Sequence, residues 1–174
     1  PGDPNLSTIF TGARGTGKTA LLSLLSETAL EHSWIAANVS AMPGMLEDII
    51  ERTKEAADSY LSQPHARING VQIGPVGIDW TYAQEAQGNW RTRMNGIFMQ
   101  LEKHDIGLLI TIDEVTVDLE EMLQFASVYQ HFVREGKKVA LLMAGLPYKV
   151  SALLRNDSVS FLRRSQYHQL GRIT

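Results

Sequence analysis

Residues Gly12-Ala13-Arg14-Gly15-Thr16-Gly17-Lys18-Thr19 follow the spacing G-x-x-x-x-G-K-[ST]. The pattern is spelled for phosphate chemistry. A polyphosphate needs many donors at close range, and glycines let backbone N–H groups turn inward with no side chain in the way. Lys18 supplies a mobile cation for the β- and γ-phosphates, and Thr19 a hydroxyl for Mg²⁺. Ala20 to Leu30 reads as a helix, so its positive end points at the same anion. The short β-prone run Leu6–Thr11 completes a strand–loop–helix order, which a chance glycine-rich turn would lack. The binding set is therefore Gly12, Ala13, Arg14, Gly15, Thr16, Gly17, Lys18, Thr19 and Ala20. Arg14 sits where residue type is free, so it either contacts phosphate or is simply solvated.

A second chemical signal is Asp113-Glu114, at the end of the apolar run Gly107–Ile112. Ligands of open α/β sheets bind beyond the carboxyl ends of the strands, which places this pair on the same edge as Lys18 and Thr19. Asp113 would share the Mg²⁺ shell with Thr19, and Glu114 would orient and polarise an attacking water. Alone, the pair reads as an acidic turn. With a complete phosphate loop in the same chain, it reads as catalytic.

The elements that must position these groups can be followed along the chain. Leu21, Leu22, Leu25 and Ala29 form a helical stripe, and Ser33–Val39 reads as a buried strand. Leu46 to Leu61 keeps helical spacing until Pro64 stops it. Residues 67–82 change period: Val71 and Ile73, then Val76, Ile78, Trp80 and Tyr82, alternate about Gly74-Pro75. That predicts a β-hairpin insertion, which either packs onto the domain or serves a partner. Trp90 to Leu101 marks a third helix, and Gly107–Ile112 a strand buried on both faces. Asp118 is a plausible helix cap, with Glu121 at capping-box spacing. Val139–Ala144 is a further strand, Pro147–Arg155 a short helix, and Tyr167–Leu170 a last strand. Alternating strands and helices predict an α/β domain with a parallel sheet covered on both faces.

Composition bounds the rest. The chain has 174 residues, 44% of them hydrophobic, and a net charge of −3, which is enough for one cored domain and gives no global basic signal. From Arg134 onward there are eight Lys/Arg against two Asp/Glu, either a solvated surface or a basic end near phosphate. There are no cysteines, which excludes disulfides and suits a cytoplasmic protein. No apolar run approaches membrane-spanning length.

Together, Gly12–Thr19 and Leu109-Ile110-Thr111-Ile112-Asp113-Glu114 resemble the Walker A and Walker B motifs of AAA+ P-loop ATPases. Within these the chain is similar to the origin-recognition-like branch of stand-alone bacterial ATP-binding proteins, as Leu141-Leu142-Met143-Ala144-Gly145-Leu146-Pro147 and Ser160-Phe161-Leu162-Arg163-Arg164 also suggest. The resemblance covers nearly the whole chain and implies a five-stranded parallel sheet in the order 5-1-4-3-2. It also implies ATP and Mg²⁺ as ligands. Arg163 or Arg164 stands where such proteins place an arginine that reaches a neighbouring subunit's γ-phosphate, although either is equally a surface ion pair. The polar residue that usually ends the fourth strand is replaced by Gly145, which implies slow hydrolysis. Six residues precede the first strand, and the chain stops at Arg172-Ile173-Thr174, where a lid would begin. The expectation is thus a nucleotide-binding core, residues 1–174, with upstream segment and lid missing.

The function that follows is Mg·ATP binding and slow hydrolysis by a conformational switch. Self-association of the intact protein and a DNA or protein partner reached through other domains are implied. A regulatory or DNA-associated nucleotide sensor with incidental hydrolysis is the alternative. A P-loop kinase fits less well, because Asp113-Glu114 matches a water-activating pair.

Overall fold

The computed structural model describes residues 7–63, 78–80 and 88–171. Five strands, β1 (Ser7–Thr11), β2 (Trp34–Ser40), β3 (Gly107–Asp113), β4 (Val139–Gly145) and β5 (Gln166–Gln169), alternate with helices. The helices are α1 (Lys18–Leu30), α2 (Met45–Leu61), α3 (Trp90–Lys103), α4 (Glu120–Arg134) and α5 (Pro147–Leu154), and a 3₁₀ segment spans Asp157–Arg164. All strand pairs are parallel, in the order β2-β3-β4-β1-β5. This is the α/β architecture and strand order expected from the sequence.

The sheet is covered unequally. β3 is buried along Gly107–Ile112, as its unbroken apolar run demands. Ile9, Ile35, Ala37, Leu108, Ile110, Ile112, Leu141 and Met143 join the main core with Met45, Ile49, Met94, Phe98, Phe125, Phe132 and Val150 from the helices. α1 packs through Leu22 on the smaller cluster formed by Phe10 and Ala144. β5, at one edge, is exposed throughout.

Two expectations need correction. Leu119, not Asp118, occupies the N-cap of α4, with no side-chain bond there. Glu121 instead reaches across to α2, where its carboxylate accepts from the N–H of Gly44 at 2.7 Å and of Leu46 at 3.0 Å. The capping-box spacing thus serves another helix: α2 starts at Gly44 with no cap of its own, and a carboxylate satisfies its free donors. The hairpin 67–82 lies outside the described residues except at Ile78, Asp79 and Trp80. There, Ile78 is buried in the main core and Trp80 donates to the Asp58 carboxylate at 3.0 and 3.2 Å.

Candidate nucleotide site

Because the sheet is parallel, the carboxyl ends of its strands share one edge. β1 and β4 end side by side, with Thr11 opposite Gly145, while β2 and β3 end with Ser40 opposite Asp113. The phosphate loop leaves β1 at this edge and enters α1. Gly15 and Gly17 hold φ of 80° and 85°, a left-handed conformation that side chains resist and that the turn requires. α1 begins at Gly17 with neither a side-chain cap nor an acidic residue in its first turn. Its positive end therefore has no local protein anion and is open to a ligand.

Lys18 folds back over the loop. Its Nζ donates to Gly12 O at 2.7 Å and Ala13 O at 2.8 Å, with Thr16 Oγ1 further off at 3.4 Å. Thr16 is buried and donates to Ala13 O. The loop carbonyls thus fix the ammonium and leave donor capacity for a phosphate in the hollow.

The acidic pair faces the loop. Thr19 Oγ1 donates to Asp113 Oδ2 at 2.6 Å, joining the first turn of α1 to the end of β3. Asp113 Oδ1 accepts from the Glu114 N–H at 2.9 Å. Glu114 holds φ 55°, an uncommon conformation for a residue with a side chain. It is pinned on both flanks: Ala41 N–H donates to Asp113 O at 2.9 Å, and Val115 N–H to Ala144 O at 3.0 Å. The turn therefore fixes Asp113 inward, toward Thr19, and leaves Glu114 exposed.

These groups line one cavity of about 600 Å³, with Arg14, Gly15, Gly17, Lys18, Thr19 and Ala20 on one side and Asp113, Glu114, Thr116, Gly145, Leu146 and Lys149 on the other. Its size suits a nucleotide-sized ligand. A hydroxyl and a carboxylate in contact, both oxygen donors, fit a hard divalent cation such as Mg²⁺. Gly145, the last residue of β4, offers no side chain, and a Cβ built there would lie 2.9 Å from Val115 Cγ2 and 3.2 Å from Val150 Cγ2. Arg163 and Arg164 end the 3₁₀ segment and do not line the cavity. Arg163 donates to Leu154 O at 2.6 Å and lies 3.5 Å from Asp157. Sequence reasoning missed Thr116 and Lys149; the signal for Lys149 was its place one turn into the helix that follows β4.

At the level of sequence, no protein-family model and no curated protein matches. Solved structures do. Cdc6p from Pyrobaculum aerophilum superposes with a TM-score of 0.58 at 16% identity, covering 98% of this chain and 40% of that one. The fold is that of Cdc6 and the origin-recognition proteins. Drosophila ORC bound to DNA gives 0.58 at 14% identity over 98% of this chain and 38% of its own. The Aeropyrum pernix ORC1 protein in complex with DNA gives 0.50 at 12% identity, over 97% and 40%. The chain spans about two fifths of the length of these structures. Among the described residues, no helix is long and apolar enough to cross a membrane.

Proposed function

We propose that the chain is the nucleotide-binding core of an AAA+ module, of the origin-recognition-like branch of stand-alone bacterial ATP-binding proteins, that binds Mg·ATP and hydrolyses it slowly to switch conformation. One observation carries this reading: Lys18, the Thr19–Asp113 pair and Glu114 meet at a single cavity opposite an uncapped helix N-terminus. Loop N–H groups and Lys18 hold the phosphates. Thr19 and Asp113 hold Mg²⁺, which when bound neutralises charge developing on the β- and γ-oxygens. Glu114 orients the attacking water and accepts its proton. Self-association, with Arg163 or Arg164 reaching a neighbour's nucleotide, belongs to the same proposal for the longer protein.

A second reading, a regulatory or DNA-associated nucleotide sensor with incidental hydrolysis, is favoured by Gly145, which leaves the fourth strand without a polar group toward the water. Two of the similar structures were solved bound to DNA. Phosphate release with and without DNA, for the wild type and for Glu114→Gln, separates the two. The switch reading expects Mg·ATP binding in both proteins, and turnover that falls at least about 100-fold in the variant. Equal turnover in the two proteins removes Glu114 from the chemistry, and binding without measurable turnover in either one leaves the sensor.

A further inference from the structure

The cavity contains a cation that neither the phosphate loop nor the acidic pair accounts for. Lys149 lies in the first turn of α5, directly after the end of β4. Its backbone N–H bonds Leu146 O at 3.1 Å, and the next residue, Val150, is fully buried in the main core. With Val150 and Leu153 turned to the core, Leu146 and Lys149, three positions apart, lie together on the cavity wall. Among the described residues, no ion pair uses Lys149.

We propose that Lys149 contacts the terminal phosphate of a nucleoside triphosphate within the same chain, and so sets the preference for triphosphate over diphosphate. The inference rests on the nucleotide reading above. Three observations support it. Lys149 shares its wall with Glu114, Thr116 and Gly145, across the cavity from Lys18 and Ala20. Glu114 marks the side from which water attacks, so this wall faces the last phosphate. Next, Gly145 can hold no side chain without moving Val115, so the strand end itself offers that phosphate nothing; the lysine one turn later is the nearest chemistry the fold supplies. Finally, Arg14, Lys18 and Lys149 face only two carboxylates in the cavity, and Asp113 is already engaged with Thr19. The surplus positive charge suits the additional phosphoryl group of a triphosphate.

Calorimetric titration of wild type, Lys149→Gln, Lys149→Arg and Lys18→Ala with Mg·ATP and with Mg·ADP tests the assignment. Lys149→Gln should weaken ATP binding about tenfold or more, the worth of one charge-assisted bond. ADP binding should stay within about twofold, Lys149→Arg should restore most of the preference, and thermal melts should match the wild type. Lys18→Ala should weaken both nucleotides. An unchanged ATP-to-ADP ratio in Lys149→Gln, or an equal loss for both, overturns the role of Lys149 while leaving the phosphate loop intact. Failure of the wild type to bind either nucleotide overturns the underlying reading, and this inference with it.

Discussion

Thr19 Oγ1 donates to Asp113 Oδ2 at 2.6 Å, bridging the start of α1 and the end of β3 across 94 residues of sequence. The bond holds two oxygen donors together where a hard cation would sit. Asp113→Ala leaves the Thr19 hydroxyl unpaired and removes the charge, and should weaken Mg²⁺ in the nucleotide complex by about 10- to 100-fold, as loss of an orienting partner does. Thr19→Ala should act in the same direction. Nucleotide affinity measured across a Mg²⁺ titration checks this, and a magnesium dependence equal to wild type in both variants would count against the site.

Lys18 is held by Gly12 O and Ala13 O, so its ammonium is positioned before any ligand arrives. Lys18→Ala removes charge-assisted bonds of ~1.5–3 kcal/mol each. Mg·ATP affinity should fall by at least about tenfold while the fold persists, since the side chain is not part of either apolar cluster. Unchanged affinity by calorimetry would remove the phosphate-loop assignment.

Glu121 caps α2 from α4 through Gly44 and Leu46, so Glu121→Ala should cost about 1–2 kcal/mol. For a chain of this size that lowers the melting temperature by roughly 2–8 °C. Glu120→Ala, in the same turn and exposed, serves as control and should shift it far less.

How much of this was legible beforehand follows from how local each cause is. The phosphate loop, its helix and the apolar run of β3 are written in contiguous residues, so strand, loop and helix could be read directly. Parallel topology then put Asp113-Glu114 on the loop's edge without any pairing information. The role of Glu121 was not legible, because its acceptors answer donors more than 70 residues away and its spacing mimics a local cap. The place of Lys149 was hidden for a similar reason: a lone lysine in a short helix acquires meaning only when β4 is set beside β1.

Tyr129 adds a pH dependence. It is buried beside Phe125 and Phe161, and desolvation raises its hydroxyl pKa above the ordinary value of 10.0. The folded state holds the proton longer than the unfolded chain does. This contribution is therefore fully present below about pH 10 and is lost as pH rises through the raised value. Tyr129→Phe should show a shallower fall in melting temperature between about pH 9.5 and 11.5 than wild type. Parallel curves would show that the hydroxyl does not contribute to alkaline unfolding.

Gly145 closes the cavity where a polar side chain might be thought to improve hydrolysis. The geometry predicts the opposite. A Cβ at this position meets Val115 Cγ2 at 2.9 Å and Val150 Cγ2 at 3.2 Å, and both valines are fully buried. β-branched side chains have little rotamer freedom to yield, so Gly145→Asn should cost about 1–3 kcal/mol by overpacking. The damage reaches the site as well. Val115 N–H bonds Ala144 O, and that bond is one of two that pin Glu114 at its left-handed φ. Pushing Val115 aside should turn Glu114 away from the water. Gly145→Asn should therefore melt earlier and hydrolyse ATP more slowly than wild type, while the loop around Lys18 still binds nucleotide. Melting curves, nucleotide titration and phosphate release on the same preparation measure all three. Faster turnover in Gly145→Asn would show that the missing polar group, not the packing of Val115, limits the rate.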